Sequence, residues 1–153
     1  VFNDDVRDAV KGSFKKDENR GFATGKSGLE ESVKFGIVAA TQHPQIDYSQ
    51  INYSTSPYAL YPSQSINYVS SHDDLCLVDK LIVSLPENTS ESDLLRYDKL
   101  AQTIIFTSQG IPFMFNGEEV FRSKKLVHNS FESPDSINQI NRYIMICSII
   151  IKN

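Results

Sequence analysis

Ile66-Asn67-Tyr68-Val69-Ser70-Ser71-His72-Asp73-Asp74 is the stretch on which the fold turns. Its β-branched and aromatic residues follow Pro62 and give way to four polar ones, a pattern that predicts a short strand over 65–70 with a polar tip. Downstream, Leu75, Val78, Leu81 and Ile82 are helically spaced. Ser90-Glu91-Ser92-Asp93 supplies hydroxyl caps and first-turn acids, and Leu94, Tyr97, Ala101, Ile104 and Ile105 then recur at three- and four-residue steps, predicting an amphipathic helix over 92–108. Gly110 stops it, and Ile111-Pro112-Phe113-Met114-Phe115-Asn116 reads as a second strand with its own polar tip, Gly117-Glu118-Glu119. Upstream, Ser27 and Glu30 stand in capping-box spacing before Leu29, Val33, Ile37 and Ala40, predicting a helix over 28–40. Residues 41–63, with three prolines and four tyrosines, read as a long loop, either a lid over a site or a surface excursion with packed rings. Helix, loop, strand, helix, helix, strand is an α/β order. It implies parallel pairing, and parallel α/β proteins place their chemistry at the carboxyl ends of the strands.

Composition agrees with one domain. The 153 residues carry 15 Lys+Arg against 19 Asp+Glu, a net charge of −4, with 40% hydrophobic residues, 7 Gly and 6 Pro. Such a chain wants a core and is neither collagen-like nor low-complexity. An acidic balance without a basic cluster argues against nucleic acid as a partner. The apolar run 143–151 falls far short of the roughly 20 residues that cross a bilayer, so no membrane partner is expected. Two cysteines, Cys76 and Cys147, are too few for a disulfide scaffold or a thiolate zinc site.

The chemical residues narrow the field. His43, His72 and His128 have no paired spacing, so no metal site is expected. Neither a Gly-x-Ser-x-Gly elbow nor a Walker loop occurs. His72-Asp73 beyond a buried strand has two readings. A carboxylate beside an imidazole suits a polyol whose ring charge rises in the transition state; alternatively His72 caps the following helix, with Asp73 and Asp74 at its N-terminus. Glu118 and Glu119 divide similarly, and a structural role is favoured for both.

Six blocks lift this reading from a residue pattern to a family. Phe2 to Gly12, Ile66 to Asp74, Asp79-Lys80-Leu81, Ser108 to Phe113, Gly117-Glu118-Glu119, and Asn129-Ser130 through Ser133 to Asn138 closely resemble, in order, successive motifs of type I pullulanases. These are debranching members of the α-amylase superfamily, glycoside hydrolase family 13. The resemblance covers residues 1–141 and implies the C-terminal portion of a catalytic (β/α)8 TIM barrel, approximately strands six to eight with their helices. It implies retaining hydrolysis of α-1,6 linkages in pullulan, amylopectin and related α-glucans, with no cofactor. By the same match Asp73 is the acidic transition-state stabiliser of the catalytic set. His72, Asn129, Asp135 and Phe2 are substrate-binding positions, Phe2 by stacking on a sugar.

Departures from the family shape further expectations. Asp74 stands where the family usually has Asn, which adds a charge beside Asp73 and would raise the pKa of one of the two if they lie close. No Trp occurs, although one is common near Tyr143, and residues 142–153 are expected to form a divergent tail, truncated or out of frame. The segments bearing the nucleophilic Asp and the acid/base Glu would precede Val1. Retaining hydrolysis needs two carboxyl groups about 5–5.5 Å apart, so the chain alone is expected to be inactive and to need the missing N-terminal part of the barrel as its partner. A non-catalytic glucan-binding remnant or a pseudogene fragment is the alternative. Three strands out of eight leave unpaired sheet edges, so the isolated chain is expected to associate or to be partly unfolded.

Overall fold

A computed structural model describes residues 1–140, so the tail expected at 142–153 lies outside the described residues. The first element is one that the periodicity reading left out. Asn3 accepts the Val6 N–H at 3.2 Å and opens helix α1 (Asp4–Lys11), with Asp4 and Asp5 in its first turn and Lys11 in its last. Gly12 closes it at φ 107°, its N–H donating to the Asp8 carbonyl; a Cβ there would meet the Asn19 carbonyl oxygen at 2.2 Å. The signal was present in Val6, Ala9 and Val10, which form one buried face.

Helix α2 (Glu30–Ile37) begins later than expected, and Ser27 does not cap it. Leu29 occupies the cap position without a side-chain bond, because Gly28 at φ 80° separates Ser27 from the first turn. Its apolar face also differs. Val33 and Phe35 are buried while Ile37 is 44% exposed, and Gly36 meets α1 so closely that a Cβ would lie 2.2 Å from the Val6 side chain. The stretch 41–63 is the expected loop, with one short 3-10 turn at Tyr48–Gln50 inside it and a second at Pro62–Gln64 over its end.

Strand β1 (Ile66–Asn67) follows, then α3 (Leu77–Ser84), α4 (Glu91–Thr107), β2 (Ile111–Pro112) and a short α5 (Asp135–Asn138). Ser90 caps α4 by accepting the Asp93 N–H at 3.1 Å, as its sequence predicts. β1 and β2 pair in parallel, with Ile66 opposite Ile111, and Phe2 bridges Ile66 in parallel on the other side. Bonds from Ile66 N to Val1 O (2.8 Å), Asn3 N to Ile66 O (2.9 Å), Ile111 N to Ser65 O (2.9 Å) and Phe113 N to Asn67 O (2.8 Å) join three parallel segments, 1–3, 65–67 and 111–113. The strands are shorter than the expected 65–70 and 111–116. Asp4 already turns into α1, so Tyr68 loses its neighbour on that side, and the ladder cannot continue without a partner.

Burial organises the helices on this ladder. Val6, Ala9 and Val10 of α1, Val69 just beyond β1, Leu77 and Leu81 of α3, and Ala101 and Ile105 of α4 make the main core. Phe35, Ala40, Ile46 and Ala59 make a second core beneath the long loop.

Candidate active site at the tip of the central segment

The polar tip begins where the backbone leaves the ladder. Tyr68, Val69 and Ser70 are buried, and the chain then emerges at His72 and Asp73, whose side chains are 83% and 78% exposed with Nε2 3.2 Å from Oδ2. Neither caps the following helix: Cys76 is the cap residue of α3 and its side chain accepts from no backbone N–H of the first turn, so the capping reading of His72 does not hold. Asp74 turns the chain back at φ 62° and accepts the Leu75 N–H at 2.9 Å.

Backbone carbonyls, rather than side chains, fix this loop. Lys124 Nζ donates to His72 O at 3.0 Å and Lys11 Nζ to Leu75 O at 3.1 Å. Both ammonium groups are buried, and desolvation lowers the pKa of each, that of Lys11 to about 8. Lys124 is itself held by Asp79 of α3, which accepts from Lys124 N (2.8 Å), Ser123 Oγ (2.5 Å) and Cys76 Sγ (3.1 Å). The tip is therefore an exposed acid–imidazole pair on a backbone bolted down by buried charges.

Asp74 does not behave as its charge alone suggested. Burial pushes its pKa up, but the Leu75 N–H, the His128 ring and the charges of His128 and Lys11 outweigh burial, and its pKa lies below the ordinary carboxylate value. His128 Nδ1 lies 2.5 Å from Asp74 Oδ1 and Nε2 3.0 Å from Asp17 Oδ2. This contact carries the 121–134 segment to the tip, with Asn129, the residue after His128, exposed beside it. Asp135 is exposed at the start of α5, in a loop closed by Asn138 Nδ2 donating to Ser130 O (2.6 Å) and Ser133 O (3.0 Å). Phe2 is 47% exposed and packs edge-on against Tyr68 (5.1 Å), just past the central segment, and Phe113 (5.7 Å), at the end of the third.

Sequence reading missed Lys11, Lys124 and His128. Their partners lie 64, 52, and 54 and 111 residues away along the chain, so no local pattern announces them. The long loop resolves toward packed rings. Tyr48 and Tyr58 pack edge-on against Phe35, while Asp5 and Asp8 of α1 bind the loop through Tyr53 N (2.7 Å) and the Tyr53 hydroxyl.

Among the described residues no group of three or more His, Cys, Asp or Glu side chains is arranged to hold a metal ion. The second tip buries one of its acids and leaves the other, Glu119, exposed. Glu118 is 4% exposed and accepts from Ser70 Oγ and from Phe115 N at 3.1 Å, while Glu119 accepts from Gly117 N at 2.8 Å.

The described residues form a parallel α/β chain with an exposed acid and imidazole beyond its central segment, and in the class of parallel α/β folds ligands are commonly met at the strand ends. Comparison with known proteins makes the class particular. No family model matches. The chain is 39% identical over 140 residues to the pullulanase of Bacillus subtilis (strain 168), and 32% identical to the chloroplastic pullulanase 1 of Arabidopsis thaliana. Each match covers 92% of this chain and 18% of the relative, so the chain spans about a fifth of their length. A crystal structure of pullulanase type I from Bacillus subtilis complexed with maltose matches 96% of this chain and 19% of its own with a TM-score of 0.85 and 37% identity. The pullulanase of Paenibacillus barengoltzii in complex with maltohexaose and α-cyclodextrin gives 0.82 at 37% identity over 96% of this chain and 21% of its own. The chain belongs with the pullulanases, as a homologue of one segment of them.

Proposed function

We propose that this chain contributes one wall of the glucan site of an α-glucan debranching hydrolase, and that its three parallel segments are strands six to eight of a (β/α)8 barrel. Asp73 is the transition-state stabiliser, binding sugar hydroxyls and favouring the distorted ring. His72 donates to a neighbouring hydroxyl, and Asn129, Asp135 and Phe2 contact the glucan. The observation that carries this is the exposed His72–Asp73 pair beyond the central parallel segment of a chain 39% identical to a pullulanase. Solved relatives in complex with maltose, maltotetraose and maltohexaose support an α-glucan as the ligand.

Turnover needs two further carboxyl groups, and neither glutamate of the second tip is set up to supply one. A retaining mechanism uses a nucleophile and an acid/base about 5–5.5 Å apart. Glu118 is buried and bound to Ser70 and Phe115, and Glu119 is turned onto its own loop. The chain alone binds glucan without hydrolysing it, and the rest of the barrel completes the reaction.

The test is reducing-sugar release from pullulan, measured for the 153-residue chain and for a longer protein that contains it. The longer protein is expected to hydrolyse pullulan, while the chain alone binds maltotetraose and releases nothing. Hydrolysis by the contaminant-free chain, or full activity of the longer protein carrying Asp73→Asn, would refute the assignment.

A further inference from the structure

We propose that His128, as an imidazolium, clamps the loop bearing His72 and Asp73 and is thereby a positioning residue of the glucan site; the second half of this statement rests on the function proposed above. The geometry comes first. Both ring nitrogens lie within hydrogen-bond distance of a carboxylate oxygen, Nδ1 at 2.5 Å from Asp74 and Nε2 at 3.0 Å from Asp17. A neutral imidazole donates from one nitrogen only, and its other lone pair would then face an oxygen that has no proton to give. The imidazolium alone satisfies both contacts.

The clamp joins three loops that nothing in sequence connects. Asp17 lies beyond α1, on a loop held where Lys80 Nζ donates to the carbonyls of Ser13 (2.8 Å), Lys16 (2.7 Å) and Asp17 (3.0 Å). Asp74 is the left-handed pivot between exposed Asp73 and buried Leu75. Lys124 and Lys11 hold the tip through backbone carbonyls on either side of that pivot, and His128 grips its side chain from another loop, beside the local bond from the Leu75 N–H. Asp74 and Asp17 are the charges facing the ring, with Lys11 behind Asp74 and Lys80 close to Asp17, Glu18 and Asp74.

The charges fix the pH dependence. The bond to Asp74 raises the His128 pKa above its ordinary 6.5, burial opposes, and Asp17 adds to the rise. A raised histidine stabilises the fold below its unfolded value, and that contribution is lost as pH rises through the folded value. Asp74, lowered, keeps its side of the clamp until pH falls through its own depressed value. The tip is thus held from mildly acidic pH up to the His128 titration and released above it.

Nuclear magnetic resonance of the 153-residue chain tests this in two readouts. The His128 ring is expected to keep its proton to higher pH in the unmodified chain than in Asp74→Asn or Asp17→Asn. Amide protection of residues 71–76 is expected to fall several-fold through that titration, to show no such step in His128→Gln, and to persist at high pH in His128→Arg. If His128→Gln fails to fold, the ring titrations in the two aspartate variants decide. A His128 titration unmoved by both variants, or a protection step that survives His128→Gln, overturns the clamp. Maltotetraose affinity should weaken several-fold across the same step. A chain that shows the titration and the protection step but binds no maltotetraose at any pH upholds the clamp and overturns the glucan-facing role of the loop.

Discussion

The two strand tips look alike as sequence, yet the first exposes Asp73 and the second buries Glu118. Ser71-His72-Asp73-Asp74 and Gly117-Glu118-Glu119 each follow a short apolar segment and each end in acids. In the first the backbone is pinned from below by Lys124 and Lys11, so the acid and imidazole are left outside. In the second Gly117 takes φ 99°, a turn that favours glycine, and a 3-10 turn (Glu118–Val120) folds Glu118 back beneath Ser70. Burial then pushes Glu118 up to about 7, with the nearby Asp98 charge adding to the rise and a facing Gln102 and the Phe115 N–H opposing it. What separates a surface acid from a buried one here is the anchoring of the backbone around it, which composition does not reveal.

Breaking this contrast starts with rate. In a longer protein that contains the chain, Asp73→Asn should lower pullulan hydrolysis by about 10²-fold or more, as removal of a transition-state contact does, whereas Glu119→Gln should leave it within a few-fold; steady-state kinetics on both variants checks the pair. The anchor beneath the open tip comes next. Asp79 is fully buried and accepts from Ser123, Lys124 and Cys76, so Asp79→Ala strands those donors and should cost about 3 kcal/mol, read as a lowered denaturation midpoint.

The closed tip gives a pH-dependent effect. Because the folded Glu118 value of about 7 lies above its ordinary 4.5, stability falls as pH rises between those values and stays low above them. Glu118→Gln removes that penalty and should stabilise the chain by up to about 3 kcal/mol at pH 8 and hardly at all at pH 4, in thermal unfolding at the two pH values. At the small end, Asp73→Asn and His72→Ala should each move stability by less than about 0.5 kcal/mol, because both side chains are exposed. A large loss from either would mean that the open tip is structural after all.

These contrasts also mark what sequence could and could not convey. Helix α4 was legible because its cap, first-turn acids and apolar steps all lie within one local window. The central segment was legible through its β-branched residues and its boundary, though not its length, since a strand ends where its neighbours turn away. Asp73 and His72 were located by their motif and found beyond the central segment. Asp79, Lys11, Lys124 and His128 were hidden because a buried charge declares itself only through a partner far along the chain. The capping box at Ser27 misled because Gly28 left the helical path between the two residues.

The three-stranded ladder leaves the molecule with a grain. Its middle strip is satisfied on both flanks, whereas the outward sides of 1–3 and 111–113 carry no ladder partner among the described residues. Anything that joins must therefore run alongside one of those two margins, and a solution of this polypeptide by itself offers only further copies to do so. Size-exclusion chromatography across a concentration series would register such self-pairing as a shift toward earlier elution.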